Sequence, residues 1–325
     1  MSSADKTIAF IGIGVMGYSM AVNLRTKLDD SYTLLICDVS ETLIQKFLHQ
    51  MAGQGPVEVI SSGREAITRA NTVITMLPTA GAVEKVYLDA TTGIIPAAVD
   101  VSRSTSGEKK LIMECGTIET ATILKVGGSA AREAGATLDF VDAPVSGGPM
   151  GAEAGTLTFM VGAGTAAAFE RARSYLQYMG RRDSVFHCGE VGAGTAFKVI
   201  NNYLSAITSL AASEALNIGA KMNLDLKLLT DVINVSGGQC WVTSQSNPVP
   251  GIQPNAPASR GYEGGFRIEL CKHVLEMGSS LADMVGARTI LDKPTLAAFT
   301  EAMADERYKG KDARVVYKWL NEQGR

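Results

Sequence analysis

The triplet Gly12-x-Gly14-x-x-Gly17 constrains the fold of this chain more than any other feature of its sequence. It follows an apolar run, Thr7–Ile11, that predicts a buried strand, and it leads into a predicted helix. In a strand–turn–helix unit the first glycine allows a tight turn, the second lets the backbone approach a pyrophosphate, and the third lets the helix pack on the strand. The backbone N–H groups and the positive end of the helix dipole would then face the phosphates. The motif predicts a dinucleotide-binding unit, with these residues at the cofactor: Gly12, Gly14, Val15, Met16 and Gly17.

An acidic residue after the second predicted strand indicates which dinucleotide the unit would bind. A second predicted strand, Thr33–Cys37, is followed by Asp38, about 20 residues beyond the glycine motif. A carboxylate there can accept hydrogen bonds from both ribose hydroxyls, and its charge repels a 2′-phosphate. This predicts NAD rather than NADP. The alternative is an ordinary glycine turn followed by a solvated aspartate.

Composition restricts the classes of protein to which the chain can belong. A length of 325 residues suits two domains rather than one core. The formal net charge of −3 gives no basic surface of the kind that binds nucleic acid. Five dispersed cysteines and three separated histidines predict neither a disulfide framework nor a metal site. The longest apolar stretch, 193–220, carries polar interruptions such as Lys198 and Glu214, and it therefore predicts a buried helix rather than a membrane span.

Strand and helix patterns alternate along the first part of the chain. The strand candidates are Thr7–Ile11, Thr33–Cys37, Val57–Ile60, Thr72–Leu77, Leu111–Glu114, Thr137–Val141, Leu157–Val161 and Val185–Cys188. After the last of these only helical patterns remain, beginning with Ala193–Lys221. The alternation predicts the α/β class: an N-terminal doubly wound, Rossmann-type parallel sheet followed by an all-helical C-terminal domain. We place the NAD-binding domain at 1–190 and the helical domain at 191–325, with long connections at 91–110 and 244–265.

A polar pair interrupts the apolar pattern of the first helix of the second domain. Lys198 and Asn202 are four residues apart and therefore lie on one helix face, one turn from each other. Burial can lower the pKa of a lysine toward neutrality, where it exchanges a proton with a hydroxyl group. The alternative is a structural pair, in which the lysine snorkels to solvent and the asparagine caps a neighbouring group. Gly192 and Gly194 would allow a ligand to approach closely, which favours the catalytic interpretation.

A second candidate segment, DAPVSGGP at 142–149, follows a predicted strand. Ligands bind at the carboxyl ends of the strands in open α/β sheets, so this position suits a substrate. The hydroxyl of Ser146 and the backbone N–H groups of Gly147 and Gly148 could hold a carboxylate. The alternative is a simple glycine–proline turn.

Several segments together resemble the β-hydroxyacid dehydrogenase family over nearly the whole chain. They are FIGIGVMG at 10–17, VITMLP at 73–78, DAPVSGG at 142–148, GTLTFMVG at 155–162 and GAGTAFKVINN at 192–202. The first is shared by many dehydrogenases, whereas the serine–glycine–glycine and glycine–lysine–asparagine segments are specific to the family. CW at 240–241 and NPVPG at 247–251 are most similar to the members that act on 3-hydroxyisobutyrate.

The resemblance implies a reaction and the residues that carry it. A hydride would pass between NAD and a short 3-hydroxy acid, here 3-hydroxyisobutyrate, which would become methylmalonate semialdehyde. Lys198 would be the catalytic acid and base. The residues expected at the substrate are Ser146, Gly147, Gly148, Asn202 and Thr117. In addition to the glycine loop and Asp38, those expected at the cofactor are Leu77, Pro78, Thr117 near the nicotinamide, and Lys272 from the helical domain.

The resemblance also implies partners and a cellular setting. It implies a homodimer or homotetramer assembled through the helical domains, and a place in valine breakdown, without a membrane or nucleic-acid partner. It further implies the mitochondrial matrix, whereas the short polar start at Met1–Lys6, without a visible presequence, favours the cytoplasm. The alternative functions are action on another short β-hydroxy acid or semialdehyde (3-hydroxypropionate, tartronate semialdehyde or serine) and a non-catalytic NAD-binding protein.

Three positions depart from the family pattern. Gly116, in ECGTIET at 114–120, stands where a serine often helps to hold the carboxylate. Ala82 stands where related enzymes often carry an asparagine at the cofactor, and His273 follows Lys272 where an aspartate is usual. Gly116 leaves the identity of the β-hydroxy acid open. None of the three changes alters Lys198.

Overall fold

The computed structural model describes residues 6–102 and 109–323. The chain divides into two compact units, Met1–Lys198 and Val199–Arg325. Within the described ranges, no helix is long and apolar enough to cross a membrane.

The first unit is built on one mixed, mostly parallel sheet. Its strands are β1 (Thr7–Ile11), β2 (Thr33–Cys37), β3 (Val57–Val59), β4 (Thr72–Thr75), β5 (Lys110–Glu114), β6 (Leu138–Asp142), β7 (Val145–Ser146), β8 (Leu157–Ala163) and β9 (Gly180–Gly189). The strand order is β3-β2-β1-β4-β5-β6-β8-β7, and β9 pairs with β8. The first six strands are parallel and follow the order 3-2-1-4-5-6 of a doubly wound fold. The predicted fold class is confirmed.

The sheet is not parallel throughout, which corrects one part of the prediction. Strand β8 runs antiparallel to both β6 and β7. Parallel neighbours need a crossover of about a dozen residues or more, and the segment between β7 and β8 is shorter than that. Strand β9 is again parallel to β8, because helix α8 (Ala166–Leu176) supplies a full crossover.

Helices cover both faces of the sheet because successive strand residues point to opposite sides. Ile8 and Phe10 of β1 face one core cluster, whereas Ala9 and Ile11 face the other. The first cluster is covered by α1 (Gly17–Lys27), α2 (Glu41–Gln50) and α8, and the second by α3 (Gly63–Arg69), α4 (Ala80–Leu88), α5 (Ile94–Ser102) and α6 (Thr120–Ala134). The near-continuous apolar sequence of the central strands follows from burial on both faces.

The second unit is helical, as predicted. Helix α9 (Ala193–Lys221) has the predicted bounds, and it is followed by α10 (Leu226–Asn234), α11 (Trp241–Gln245), α12 (Ile268–Val285), α13 (Asp292–Met303) and α14 (Val316–Glu322). Its main core packs the apolar faces of α12, α13 and α14 around Leu275, Phe299 and Val316. Two short 3-10 helices, Pro257–Arg260 and Ala313–Val315, lie in the connections.

Some elements were not predicted. Helix α5 occupies part of the expected connection 91–110, and residues 103–108 of that connection lie outside the described residues. A short helix, α7 (Gly148–Ala154), begins within the glycine–glycine–proline segment. The expected connection 244–265 is largely irregular, but it contains the first of the two 3-10 helices.

A buried arginine fixes the end of α1. The side chain of Arg25 is fully buried and donates hydrogen bonds to three backbone carbonyls, at 2.6 Å to Tyr32, 3.1 Å to Leu28 and 3.0 Å to Asp29. These carbonyls belong to the end of the helix and to the turn before β2. The guanidinium therefore satisfies acceptors that the helix itself cannot pair.

We expect Arg25→Met to lower the free energy of unfolding by about 2–4 kcal/mol, because a side chain of similar length leaves three carbonyls without this donor. Urea denaturation of the full chain measures the change. Arg132→Met, on the exposed face of α6, is the matched control and should cost less than about 0.5 kcal/mol. Equal losses in the two variants would contradict the assigned role of Arg25.

Candidate active site

The glycine motif forms the turn between β1 and α1. Gly12 has a φ of 91°, and a Cβ atom there would lie 2.4 Å from the carbonyl oxygen of Met76. A Cβ atom on Gly17 would lie 1.9 Å from the carbonyl oxygen of Gly12. Gly14, in contrast, has no neighbouring atom within 4 Å of its Cβ position. Packing therefore requires the outer two glycines, and the middle one borders open space where a pyrophosphate would fit.

The start of α1 is available to an anion. Met16 precedes the helix, and no side chain caps the helix N-terminus. An uncapped helix leaves backbone N–H groups of its first turn without intrahelical partners. Those groups and the helix dipole suit a phosphate, so this loop fits the diphosphate of a dinucleotide.

Asp38 is held in position beside the glycine turn. One carboxylate oxygen accepts the backbone N–H of Ile13 at 2.8 Å, and the other accepts that of Ser40 at 2.8 Å. A carboxylate has about four acceptor positions, so each oxygen can accept a further hydrogen bond from a ribose hydroxyl. The next residue, Val39, is apolar and fully exposed, and it offers no cation for a 2′-phosphate. The residues present therefore fit NAD.

Further predicted cofactor residues follow the neighbouring strands at the same edge of the sheet. Leu77 and Pro78 come after β4, and Thr117 comes after β5. The carbonyl oxygen of Leu77 lies 2.6 Å from the position of a Cβ atom on Gly116, so the two loops are in contact. The fold thus places the loops after β1, β2, β4 and β5 at one edge, where dinucleotides bind in sheets of this topology.

The segment after β6 anchors helix α9. Asp142, the last residue of β6, is fully buried, and its two carboxylate oxygens accept the backbone N–H groups of Gly192 and Thr195, each at 2.7 Å. A Cβ atom on Gly194 would lie 2.2 Å from the carbonyl oxygen of Met160 in β8. The first turn of α9 is therefore pressed against the sheet and capped by a strand carboxylate.

Lys198 follows this cap by one helical turn. The side chain is buried, with the residue 8% exposed, and burial lowers its pKa to about 8. Among the described residues, none forms a hydrogen bond or ion pair with its ammonium group. A lysine that snorkels keeps its charged end in water, and the burial of this residue favours the catalytic interpretation over that alternative.

The structure gives the positions and contacts of the other predicted site residues. Asn202 lies one turn beyond Lys198 on α9, and its amide oxygen accepts a long hydrogen bond of 3.4 Å from Asn201. Gly147 and Gly148 have φ values of 135° and 64°, so the turn itself requires glycine at both positions. Lys272, on α12 of the second unit, forms an ion pair with Glu276 at 2.5 Å on the same helix.

Comparisons with known proteins cover the whole described fold. The model of the NAD binding domain of 6-phosphogluconate dehydrogenase matches residues 7–191. The model described as NAD-binding of NADP-dependent 3-hydroxyisobutyrate dehydrogenase matches residues 192–320. A probable mitochondrial 3-hydroxyisobutyrate dehydrogenase of Dictyostelium discoideum is 36% identical over 99% of this chain and 92% of its own length.

Two further relatives agree. An NAD-dependent L-serine dehydrogenase of Pseudomonas aeruginosa is 38% identical over 96% of this chain and 97% of its own length. The structure of a Mycobacterium tuberculosis 3-hydroxyisobutyrate dehydrogenase with L-serine superposes with a TM-score of 0.83. It is 32% identical and covers 97% of this chain and 99% of that chain.

The chain belongs to the β-hydroxyacid dehydrogenase family. The predicted family, its oxidoreductase class and a nicotinamide dinucleotide as cofactor are thereby confirmed. The roles of individual residues stay predictions.

Two buried carboxylates that hold backbone N–H groups around this candidate site were missed by sequence reasoning. One is Asp142 as the cap of α9. The other is Glu114, the last residue of β5, which is fully buried and accepts the backbone N–H of Gly116 at 2.7 Å. Burial raises the pKa of Glu114 to about 7. An acidic residue directly after an apolar run was the available signal, and the same signal identified Asp38.

We expect Asp142→Asn to lower the free energy of unfolding by about 2–3 kcal/mol, because the amide group must turn one N–H donor toward a backbone N–H. Urea denaturation measures the loss. Asp139→Asn on the same strand is the control: it removes only the partly exposed ion pairs with Lys109 and Arg171, worth about 1 kcal/mol or less. The expectation fails if Asp142→Asn is no more costly than this control.

Proposed function

We propose that this protein is an NAD-dependent dehydrogenase that oxidises a short 3-hydroxy acid, with 3-hydroxyisobutyrate as the preferred substrate and methylmalonate semialdehyde as its product. The observation that carries the proposal is Lys198: a buried amine with a lowered pKa and no anionic partner among the described residues. The substrate class is supported by relatives that match almost the full chain and are named 3-hydroxyisobutyrate dehydrogenases. A role in valine breakdown would follow from that substrate.

Bound NAD⁺ would supply the acceptor for the hydride that leaves the carbinol carbon. Neutral Lys198 would take the hydroxyl proton as the carbonyl forms, and the charged form would return it in the reverse direction. Asn202, one turn along the same helix, would orient the substrate. Ser146 and the N–H groups of Gly147 and Gly148 would hold its carboxylate.

The cofactor would be held by the loops at the sheet edge. The N–H groups around Gly14 would meet the pyrophosphate, and Asp38 would accept the ribose hydroxyls. Leu77, Pro78 and Thr117 would line the nicotinamide half, and Lys272 would approach it from the helical domain. We accordingly assign cofactor binding to 1–190, and substrate selection and assembly to 191–325.

Assembly as a homodimer or homotetramer is supported by apolar surface on the second unit. Ile200, Leu204 and Ile218 of α9, and Met222 directly after it, are each more than half exposed. Val232 and other apolar residues of α10 are exposed as well. Apolar surface of this extent is typical of a protein interface, and sedimentation velocity of the full chain would measure the state.

L-Serine is the second candidate substrate, favoured by the names of two relatives. NADH formation at 340 nm with 3-hydroxyisobutyrate, L-serine, 3-hydroxypropionate and glycerate, each with NAD⁺ or NADP⁺, separates the possibilities. A kcat/KM highest for 3-hydroxyisobutyrate with NAD⁺ supports the proposal. Preference for L-serine would keep the mechanism and replace the substrate. No turnover on any acid, with NADH still bound, would support a non-catalytic NAD-binding protein.

We expect Lys198→Met to lower kcat by about 10²–10⁴-fold, because it removes the proton acceptor. The groups proposed to bind NAD stay in place, so the affinity for NAD should change little. In the wild type, kcat/KM for oxidation should rise with pH to a plateau above about pH 8, since the neutral amine is the active form. The reduction reaction should fall over the same range.

The control is Lys221→Met, at the exposed end of the same helix, where Lys221 donates to the carbonyl of Asn321. It should leave kcat and the pH profile unchanged. A Lys198→Met variant that keeps a tenth of wild-type turnover would exclude Lys198 as the acid and base.

We expect Asp38→Ser to narrow the preference for NAD over NADP by about tenfold or more, because it removes both the ribose acceptors and the repulsion of a 2′-phosphate. The ratio of kcat/KM for the two cofactors is the measurement. If losing the hydrogen bonds to Ile13 and Ser40 disorders the cofactor loops in general, kcat/KM should fall for both cofactors and their ratio should stay unchanged. An unchanged ratio would contradict the role assigned to Asp38.

A further inference from the structure

Glu114 is a buried carboxylate for which the proposed reaction has no use. It accepts the backbone N–H of Gly116 at 2.7 Å, the backbone N–H of Leu77 and the hydroxyl of Thr75. The Thr75 hydroxyl lies 2.6 Å from that of Tyr87, which is itself fully buried. In the described part of the chain, no lysine or arginine pairs with Glu114. Only neutral donors stabilise its charged form, and burial raises its pKa to about 7.

The donors come from two different loops. Thr75 and Glu114 form the last paired position of the β4–β5 ladder. Beyond it the chains separate into the segments 76–78 and 115–117, and the carboxylate accepts one backbone N–H from each. Glu114 thus ties the two loops together where regular strand pairing has ended. These are the loops that carry Leu77, Pro78 and Thr117.

The carboxylate also fills the space beside residue 116. A Cβ atom on Gly116 would lie 2.6 Å from a carboxylate oxygen of Glu114 and 2.6 Å from the carbonyl oxygen of Leu77. Contacts below about 3 Å are not tolerated by real Cβ atoms. Neither obstacle can yield easily, because Glu114 is held by three donors and one of these donors belongs to Leu77. A glutamate at 114 with this hydrogen bonding therefore requires glycine at 116.

We propose that Glu114 and Gly116 form an interdependent pair, in which Glu114 is a positioning residue that holds the segments 76–78 and 115–117 at the nicotinamide end of the cofactor. The cofactor part of this inference rests on the proposed function, since the lining of NAD by Leu77, Pro78 and Thr117 is itself proposed. The dependence of one residue on the other rests on the geometry alone.

The test is a double-substitution cycle in the full chain with Gly116→Ala, Glu114→Asp and both together. The readouts are the Kd for NADH, from quenching of its fluorescence without substrate, and the free energy of unfolding. Gly116→Ala should weaken NADH binding by about tenfold, because the methyl group displaces the carboxylate and the Leu77 peptide. Shortening residue 114 by one methylene withdraws the carboxylate by roughly 1.5 Å and also releases the Leu77 peptide, whose N–H it binds and whose carbonyl oxygen is the second obstacle. Because both obstacles can then move, the double variant should bind NADH more tightly than Gly116→Ala alone.

Two further variants separate positioning from mere structural support. Glu114→Gln keeps the length, and its amide oxygen can accept the Gly116 N–H while its amide N–H donates to the Thr75 hydroxyl, so it should bind NADH more tightly than Glu114→Asp. Gly128→Ala in α6 is the matched control, because its Cβ meets only the mobile end of Arg132 at 3.1 Å. It should leave the Kd unchanged.

The outcomes distinguish the inference from the proposed function. The interdependence of Glu114 and Gly116 is rejected if their effects are additive in both readouts, or if Gly116→Ala leaves the Kd for NADH unchanged. If Gly116→Ala does not fold, equal NADH affinity of Glu114→Gln and Glu114→Asp overturns the positioning role. A wild-type protein that does not bind NADH overturns the proposed function and the positioning role together, and the unfolding cycle then decides whether residues 114 and 116 still depend on each other.

Discussion

The contact on which the candidate site depends is the one between Asp142 and the start of helix α9. A fully buried carboxylate at the end of β6 accepts two backbone N–H groups of the helix, and glycines at 162 and 194 remove the side chains that would hold strand and helix apart. This contact fixes the first turn of α9 against the sheet. Since Lys198 lies one turn further along, the position of its amine follows from that cap.

The same device recurs along the edge of the sheet. Asp38, Glu114 and Asp142 each end a strand or directly follow one, and each accepts at least one backbone N–H from a segment that is distant in sequence. Strands of a doubly wound sheet end together, so these carboxylates order the loops that carry the chemistry. Asp38 alone is half-exposed and keeps accessible acceptor positions. Glu114 and Asp142 are inaccessible and serve only the protein.

Local patterns were sufficient for much of this architecture. Thr7–Ile11, Thr33–Cys37 and Ala193–Lys221 have the predicted bounds, because an apolar run next to a glycine turn and a long apolar helical period each specify one structure. The antiparallel direction of β8 depends on the length of a connection rather than on the strand's own residues. Helix α5 was missed because its short apolar core, IIPAAV, lies within a polar stretch and contains a proline.

Some site residues could likewise be identified from sequence, whereas others could be recognised only in the fold. Asp38 and Lys198 could be selected from sequence, because a motif or a helix face places each of them near a ligand. The partners of Glu114 and Asp142 come from loops distant in sequence, at Leu77 and at Gly192 and Thr195, and only the fold brings them together. The pKa of Lys198 depends likewise on burial, which the helix pattern did not specify.

The space beside Gly116 also restricts the order in which this sequence can change. A side chain can enter position 116 only after residue 114 has become shorter, because the longer carboxylate blocks the position with its own oxygen and also holds the Leu77 peptide, whose carbonyl oxygen is the second obstacle. Substitutions at 114 and 116 would look independent if the sequence were read one position at a time. In the fold they are successive steps of a single path, and the shorter carboxylate must come first.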